Sequence, residues 1–305
     1  MTPRDCVRKP AHSGRTHAIS GLVIAVLLLA CSTGDETNRP ATSALIATVA
    51  DQGSFSTPCP YSHSGDDDPI VHPGHAGASH RHDFFGATTT GAGSEAASLL
   101  AGGTTCRTVA DRSAYWAPSL LADGRPLEPI EMQAYYRVPI GADATQVEPP
   151  PNGLELIAGD GDATAPQDPS TIAWSCGLAE ATSPVPQPCE RSPFLLLRLM
   201  FPPCWDGDHL GSDDHRSHLA ALGDDGACPG DHPVLLPQLR VDIRYPSTPA
   251  GTPLTLASGP TTGGHGDAVM AWDQDHIARE VDLCLRENRR CDVTSETARL
   301  NVGDP

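Results

Sequence analysis

Short apolar segments with a period of two dominate the chain between residues 113 and 256. This alternation places successive side chains on opposite faces of an extended strand, and it predicts strands at residues 113–120, 130–138, 153–159, 234–236, 239–245 and 254–256. The run at residues 194–201 is nearly all apolar, so we expect a central strand covered on both faces. Residues 122–125 have the composition of a turn.

One segment near the C-terminus has clear helical periodicity. Its apolar residues recur at the spacing of one helix face: Ile277, Val281, Cys284 and Leu285. Asp273 or Asp275 is placed to cap the start of this helix. The chain also contains 29 Gly and 30 Pro, which favour turns over long helices. Together these patterns predict a mainly β fold: an antiparallel β-sandwich, jelly-roll-like, with long loops and one C-terminal helix.

The first 30 residues have the features of a secretory signal. Four basic residues precede an apolar run, residues 19–30, that is too short to span a bilayer comfortably. The run ends in Leu28-Leu29-Ala30-Cys31, which resembles a bacterial lipobox, in which the Cys carries the lipid after cleavage. We expect a signal peptide at residues 1–30, a lipidated Cys31 with a flexible tether to residue 52, one domain at residues 53–293, and a disordered tail at residues 294–305. The alternative is an ordinary signal peptide and a secreted protein.

The net charge limits the classes of partner, and the cysteine content indicates the redox compartment. A net charge of -18 repels phosphate backbones, so we expect no nucleic-acid partner.

Ten Cys are present, of which Cys6 belongs to the leader and Cys31 to the lipid anchor. The other eight predict disulfides in an exported chain, although about 105 pairings are possible. We expect nearest-neighbour pairing, 59–106, 176–189, 204–228 and 284–291. Because no Cys-x-x-Cys is present, a Cys-based metal site is the weaker interpretation.

A first polar stretch, residues 79–86, contains His80, His82 and Asp83. Two His at positions i and i+2 share a face of an extended strand, where both imidazoles can bind one metal ion. Asp83 is placed to orient one of the rings. Otherwise residues 55–86 have little apolar periodicity, and residues 62–74 predict a loop. We interpret the run of three Asp at residues 66–68 as a solvated turn.

A second polar stretch, residues 206–218, uses nearly the same residue types. His215 and His218 are three apart and would share a face of one helical turn. The Asp spacing does not fit an EF-hand, because Leu210 stands where an oxygen ligand is required. His265 and Asp267 add a third His/Asp pair just before the predicted helix.

We expect the fold to bring these segments together in one polar site. The candidate catalytic residues are His80, His82, Asp83, Asp214, His215 and His218. The candidate substrate-binding residues are Arg81, Arg216, Trp205 and Asp206. The candidate ligands for a divalent metal are His80, His82, His215 and His265.

Several motifs in this chain resemble those of the DUF1996 family. They include Asp67-Asp68-Pro69-Ile70-Val71, Ser79-His80-Arg81-His82-Asp83-Phe84-Phe85-Gly86, Phe201-Pro202-Pro203-Cys204-Trp205-Asp206-Gly207, Asp214-His215-Arg216-Ser217-His218 and His265-Gly266-Asp267. The resemblance runs in order from about residue 55 to residue 291. It implies a secreted domain of the kind known from fungi and bacteria, whose fungal members often sit beside carbohydrate-binding WSC domains. The resemblance therefore implies an extracellular setting and a link to polysaccharides, but it supplies no catalytic residues.

Three functions fit these observations. The first is an enzyme that hydrolyses or eliminates extracellular polysaccharide, with His and Asp as acid and base, Arg binding an acidic sugar, and a metal assisting. The second is a non-catalytic glycan- or metal-binding surface module, whose stacking residues would be Trp116, Trp174, Trp205 and Trp272. The third is a purely structural hydrogen-bonded interior. The absence of Gly-x-Ser-x-Gly, phosphate-loop and dinucleotide motifs disfavours esterase, kinase and oxidoreductase activities.

Overall fold

The computed structural model describes residues 52–178, 182–189 and 192–291. The predicted signal peptide, the lipidated Cys31 and the tether up to residue 51 precede these residues. The predicted tail at residues 294–305 follows them. These predictions therefore lie outside the described residues. Within the described ranges, no helix combines the length and apolarity that a membrane span requires.

Most of the regular structure consists of short β-strands. In chain order they are β1 (Ser54–Gly65), β2 (His82–Gly86), β3 (Ala114–Pro118), β4 (Leu120–Ala122), β5 (Arg125–Pro126), β6 (Glu131–Arg137), β7 (Glu155–Gly159), β8 (Ile172–Cys176), β9 (Phe194–Met200), β10 (Cys204–Trp205), β11 (Leu219–Ala220), β12 (Val234–Leu235), β13 (Gln238–Pro246), β14 (Leu254–Leu256) and β15 (His265–Val269). The α-helices are α1 (Ala96–Ala101) and α2 (Gln274–Glu280), and α2 continues as a π-helical segment, Val281–Arg286. Single 3-10 turns occur at Ala144–Gln146 and Thr261–Gly263.

Nine strands form one large antiparallel sheet in the order β7-β15-β3-β2-β1-β6-β13-β9-β8. The sheet curls until its two ends approach each other. Leu199 of β9 packs against Gly266 of β15, and Ile172 of β8 lies so close to Gly159 of β7 that a Cβ there would be 2.7 Å from it. The prediction of a mainly β, antiparallel fold with a C-terminal helix is confirmed.

Strand β1 joins the two halves of this sheet. Residues 54–60 of β1 pair with β6, and residues 61–65 pair with β2, with a register shift between Tyr61 and His63. The sequence predicted a loop at residues 62–74 and little structure around it, which is wrong for this twelve-residue strand. The buried residues of β1 include Thr57, Pro58 and Cys59, so its inward face lacks the apolar period that marks other strands.

Two hydrophobic clusters cover the two faces of the sheet. The larger cluster fills the interior and contains Tyr136, Leu197 and Trp272. The smaller cluster lies on the other face of the β7-β15-β3-β2 half, where the segment that precedes β2 and helix α1 cover the sheet. Its largest members are Phe84 and Trp116, and each is at most 1% exposed. Both faces of this half are therefore buried.

The predicted helix and disulfides are confirmed. The four apolar residues of the helix are all buried, and the Asp273 side chain caps the start by accepting a hydrogen bond from the His276 N–H. The disulfides pair Cys59–Cys106, Cys176–Cys189, Cys204–Cys228 and Cys284–Cys291. Disulfides of this number indicate an oxidising compartment.

Candidate metal centre

The first polar stretch lies at one end of the smaller hydrophobic cluster. His82 begins β2, and its side chain points to the same sheet face as Phe84 because alternate residues of a strand share a face. On β15, His265 and Asp267 share a face with Val269 of the same cluster. The sheet order places β3 alone between these two strands. The fold thereby brings the His80–His82 pair and the His265–Asp267 pair to one place.

The imidazoles of His80, His82 and His265 form a compact group. The ring centroids of His80 and His82 are 4.3 Å apart, those of His80 and His265 are 5.2 Å apart, and those of His82 and His265 are 6.3 Å apart. One ring nitrogen from each residue lies within 4.8 Å of the others. His82 is 0% exposed and His265 is 9% exposed, while His80 is half-buried and forms the accessible side.

Backbone carbonyls fix the tautomer of two of these rings. The Nδ1–H of His82 donates to the carbonyl of Asp67 at 3.0 Å, and the Nδ1–H of His265 donates to the carbonyl of Gly263 at 2.9 Å. A carbonyl only accepts hydrogen bonds, so in a neutral ring the free lone pair lies on Nε2. Nε2 of His82 and Nε2 of His80 are buried without a hydrogen-bond partner among the described residues.

Burial keeps these rings neutral. Burial, followed by the charge of His265, lowers the pKa of His80 to about 4. The pKa of His82 lies well below its ordinary value, mainly because the ring is buried and secondly because of the charge of His80. Burial also lowers the pKa of His265. A neutral imidazole is the form that binds a metal ion.

Two buried carboxylates complete the group. Oxygens of Asp68 and Asp267 lie within 4.8 Å of a His82 ring nitrogen and of each other, and these Asp residues are 4% and 3% exposed. One oxygen of Asp68 accepts the backbone N–H groups of Ile70 and Val71 at 3.0 and 2.9 Å. Oδ2 of Asp267 has no hydrogen-bond partner within the described ranges. Burial, followed by the charge of Asp68, raises the pKa of Asp267 well above its ordinary value.

This combination of donors suits a divalent transition metal. Imidazole nitrogens and carboxylate oxygens are ligands of zinc, copper and iron, and the carbonyls behind His82 and His265 are the usual outer-sphere support. A cation would also neutralise the two adjacent carboxylates, whose proximity is otherwise unfavourable. Buried polar atoms without partners cost free energy, and ligation would provide partners for the lone pairs.

Comparison with known proteins places the chain in a family. The model of the domain of unknown function DUF1996 matches residues 68–272. The chain belongs to the DUF1996 family. The match begins at Asp68 and includes all five residues of the cluster. No curated protein and no solved structure matches the chain.

In this DUF1996 domain, residues 206–218 brace the edge strand β7 rather than supply ligands to the cluster. The Leu210 carbonyl accepts the Glu155 N–H at 2.8 Å, and the buried His218 donates from Nε2 to the Glu155 carbonyl at 2.8 Å. The Arg216 guanidinium donates to the Gly159 carbonyl at 2.7 Å. The second polar stretch therefore lies against the strand that pairs with β15.

Asp214, His215 and His218 are not among the clustered ligand atoms. Asp214 accepts hydrogen bonds from the N–H groups of Ser217 and Arg216 at 2.8 and 3.0 Å, and these bonds lower its pKa. His215 has a φ of 61°, so the chain leaves the right-handed helical region there. The predicted helical turn that would align His215 with His218 is wrong, because the Asp214 carboxylate stabilises a tight loop instead.

Asp83 lies on the opposite face of the DUF1996 sheet from His82. Its carboxylate accepts hydrogen bonds from the hydroxyls of Ser64 and Ser119, each at 2.7 Å. The predicted role of Asp83 as the residue that orients a ring is therefore wrong. Consecutive residues of a strand face opposite ways, and the Asp67 carbonyl orients the His82 ring instead. Arg81 is exposed at the start of this strand.

The candidate substrate-binding residues Trp205 and Asp206 stabilise their own loop. The Trp205 indole N–H donates to the His209 carbonyl at 2.6 Å, and the Asp206 carboxylate accepts the N–H groups of Asp208 and His209. Trp205 is half-buried. The other three Trp are at most 1% exposed and belong to the hydrophobic clusters, which excludes them from sugar stacking: Trp116, Trp174 and Trp272.

Sequence reasoning missed Asp68 and Glu155. The run of three Asp predicts a solvated turn, but the Asp68 side chain is buried beside His82. The signal that could have found it is the apolar pair Ile70-Val71 directly after the Asp run. Glu155 is half-buried at the start of β7, and burial, followed by the charge of Asp68, raises its pKa. No pattern in the sequence distinguishes Glu155 from a surface residue.

Proposed function

We propose that His80, His82 and His265, with Asp68 and Asp267, bind one divalent transition metal ion. The observation that carries the proposal is the convergence of three imidazoles, two of which, His80 and His82, have a buried Nε2 without a hydrogen-bond partner among the described residues. If the three His are the ligands and the two Asp balance the charge beside them, a coordination position stays open, which is the arrangement of catalytic rather than structural metal sites.

The activity we propose is metal-assisted hydrolysis or elimination of an extracellular polysaccharide. A bound metal would supply Lewis acidity and a lower pKa for a coordinated water. Glu155 pairs with Val269 of β15 and therefore shares a sheet face with Asp267 of the cluster; with its raised pKa it would transfer the proton as acid or base. The substrate would approach over His80, because this ring is the half-buried member of the cluster. Family membership and the four disulfides support an extracellular substrate.

We further propose that the protein acts as an exported lipoprotein. The signal-like residues 1–30 and the lipobox-like sequence at Cys31 support a lipid anchor on the extracellular side of the membrane. Residues 31–52 would hold the domain away from the lipid surface. Secretion without an anchor is the alternative.

A non-catalytic metal-binding module is the second candidate function. The burial of the cluster favours it, since His82 is 0% exposed and Asp267 is 3% exposed. A metal enclosed to that extent can stabilise the loop before β2 without contacting a substrate. The two candidates share the metal centre and differ only in turnover.

Metal analysis tests the centre directly. Protein purified without chelator is expected to contain one metal ion per chain, and His80→Ala, His82→Ala and His265→Ala are each expected to lose it, because each removes a ligand. His75→Ala is the matched control, since His75 lies in the same loop, is exposed, and its ring bonds to the Pro73 carbonyl and to no other group among the described residues. Metal-free protein that shows no thermal shift with added zinc, copper or manganese contradicts the proposal.

A turnover assay separates the two candidate functions. Metal-loaded protein is incubated with neutral and acidic polysaccharides, and reducing ends and unsaturated products are measured. Glu155→Gln is expected to retain the metal and to lower turnover by about 100-fold or more, as loss of a general acid or base does. A metal-loaded protein that binds glycans without turnover supports the module instead.

A further inference from the structure

A second concave site lies where the two ends of the curled sheet approach each other. It is a cleft of about 780 Å³ between β7 on one side and strands β9, β13 and β6 on the other. Side chains on the outer faces of these strands line it, together with the loop residues 201–203 and 221–224. Four arginines contribute to its wall: Arg137, Arg198, Arg216 and Arg240.

The arginines outnumber the carboxylates available to them. Asp242 forms salt bridges with two of these arginines. Its carboxylate accepts hydrogen bonds from Arg198 at 3.1 Å and from Arg240 at 2.9 Å, and its side chain is 1% exposed. Asp242 does not line the cleft itself, whereas Asp224 is in the wall and is exposed. Arg137 has no carboxylate partner among the described residues, and its guanidinium donates to the Gln238 side-chain oxygen at 3.2 Å and to the Met200 sulfur.

This arrangement is electrostatically incomplete without an anion. The Nε atoms of Arg137 and Arg240 are buried and have no hydrogen-bond partner in the described ranges. Burial, followed by the charges of Arg240 and Arg198, lowers the pKa of Arg137, which means that its positive charge is disfavoured there. The chain as a whole carries a net charge of -18, so a cleft with four arginines in its wall is an exception to its general charge.

We propose that this cleft binds an organic anion through an oxyanion group, a carboxylate or a sulfate, of an acidic oligosaccharide. Planar guanidinium groups hold such groups with paired hydrogen bonds. The Arg198 and Arg240 side chains are each 20% exposed, so a ligand can reach them. The cleft is within the size range of small-molecule sites and much larger than one inorganic anion.

The anion site and the metal centre lie on the two sides of β7. Gly159 of β7 lines the cleft and pairs with His265 of the metal cluster. Arg216 also lines the cleft, and its guanidinium donates to the Gly159 carbonyl at 2.7 Å. The anion site does not require a metal, because no arginine of the cleft is a ligand in the cluster.

Calorimetric titration of the purified protein tests the site. The probes are an oligogalacturonate for carboxylate, a sulfated oligosaccharide of equal length, a neutral oligosaccharide and inorganic phosphate. Either acidic oligosaccharide is expected to bind at low salt, more weakly as ionic strength rises, whereas the neutral one does not. The titration is repeated with a chelator, and unchanged affinity distinguishes this site from the metal centre.

Substitutions locate the binding. Arg137→Gln and Arg240→Gln are each expected to weaken the affinity by about tenfold or more, because each removes charged hydrogen bonds. Arg244→Gln is the matched control: Arg244 lies on β13 as well, but it bonds to Glu131 and Gln133 and does not line the cleft. Thermal unfolding of every variant verifies folding. No binding, equal loss in all three variants, or binding of phosphate alone overturns the proposal.

Discussion

At the scale of single residues, His82 shows how backbone groups prepare a side chain for a ligand. Its Nδ1–H is bound by the Asp67 carbonyl, and its ring packs beside those of His80 and Phe84. The prediction that His80 and His82 share a face is confirmed by the 4.3 Å between their rings. The next residue, Asp83, faces away. Ring orientation here is a property of the fold around His82, and the His-x-His motif alone does not determine it.

Asp111 is another residue whose chemistry depends on its surroundings. It is 0% exposed, and its carboxylate accepts hydrogen bonds from the Ser113 N–H at 3.0 Å and the Tyr115 hydroxyl at 2.8 Å. Tyr136 and His276 are the other titratable groups that face this network. Burial raises the pKa of Asp111 to about 7, against the hydrogen bonds that lower it.

The raised pKa of Asp111 predicts a pH-dependent loss of stability. Between its ordinary value of 3.8 and about 7, the folded chain keeps a proton that the unfolded chain has lost. Asp111 therefore makes its full contribution to the free energy of unfolding below pH 3.8. This contribution is lost as the pH rises through about 7. The stability of Asp111→Asn relative to the wild type is expected to increase over this range, as measured by urea unfolding at several pH values.

Two controls make this test specific. The same comparison in a His276→Gln background removes the charge of the neighbouring imidazole. Asp143→Asn provides an exposed site, where hydrogen bonds from the Thr145 side chain and backbone lower the pKa of the carboxyl group. A pH-independent difference between Asp111→Asn and the wild type contradicts the prediction.

At the scale of elements, the C-terminal helix is fixed to the start of β1. The N–H of Gly53 donates to the Asn288 side chain at 2.7 Å, and the N–H of Cys291 donates to the Ser54 carbonyl at 2.7 Å. The carbonyls of Cys284 and Leu285 lie so close to Gly53 that a Cβ there would be 2.5 and 2.9 Å from them. The end of the π-helical segment therefore packs directly against the backbone of Gly53.

Gly53→Ala is expected to destabilise the protein by about 2 kcal/mol or more, because backbone atoms cannot move away at the low cost of a flexible side chain. Urea unfolding measures the change. Gly93→Ala is the control, since a Cβ at Gly93 would meet nothing within 4 Å and its φ is ordinary. Equal stability of the two variants contradicts this packing of the helix against β1.

At the scale of the whole molecule, disulfides bind loop-rich segments to the strands and the helix. Cys59–Cys106 joins residues 47 apart and encloses the loop that carries Asp68, His80 and His82. Cys284–Cys291 joins residues only 7 apart at the exit of the helix. In the chain-entropy model, the bond that closes the longer loop restricts the unfolded chain more.

Removal of the Cys59–Cys106 bond is therefore expected to cost about 4 kcal/mol, against about 2 kcal/mol for Cys284–Cys291. The measurement compares urea unfolding of the two double Cys→Ala variants. Cys59 and Cys284 are both 0% exposed, so the loss of buried volume is similar in the two. A larger loss from the Cys284–Cys291 pair contradicts the ranking.

Local patterns along the chain are enough to predict several features of this protein. The apolar spacing of Ile277, Val281, Cys284 and Leu285 predicts the buried helix face. Alternation predicts β6 and β13, and a nearly continuous apolar run predicts β9. Nearest-neighbour pairing predicts the four disulfides, because each pair brackets a loop-rich segment. The adjacent His80 and His82 predict a shared face through the period of a strand. Each of these predictions needs information from only a few consecutive residues, or from the order of like residues along the chain.

Tertiary structure alone decided which polar residues meet. Strand β1 escaped prediction because its buried positions include Thr57 and Pro58 rather than an apolar series. The sheet order, not sequence proximity, places His265 and Asp267 beside His82. The tertiary structure also leaves His215 outside the metal cluster and buries Asp68 within this cluster. The arginine cleft exists because a curled sheet brings β7 towards β9. Long-range pairing of strands determines these contacts, and no local pattern encodes it.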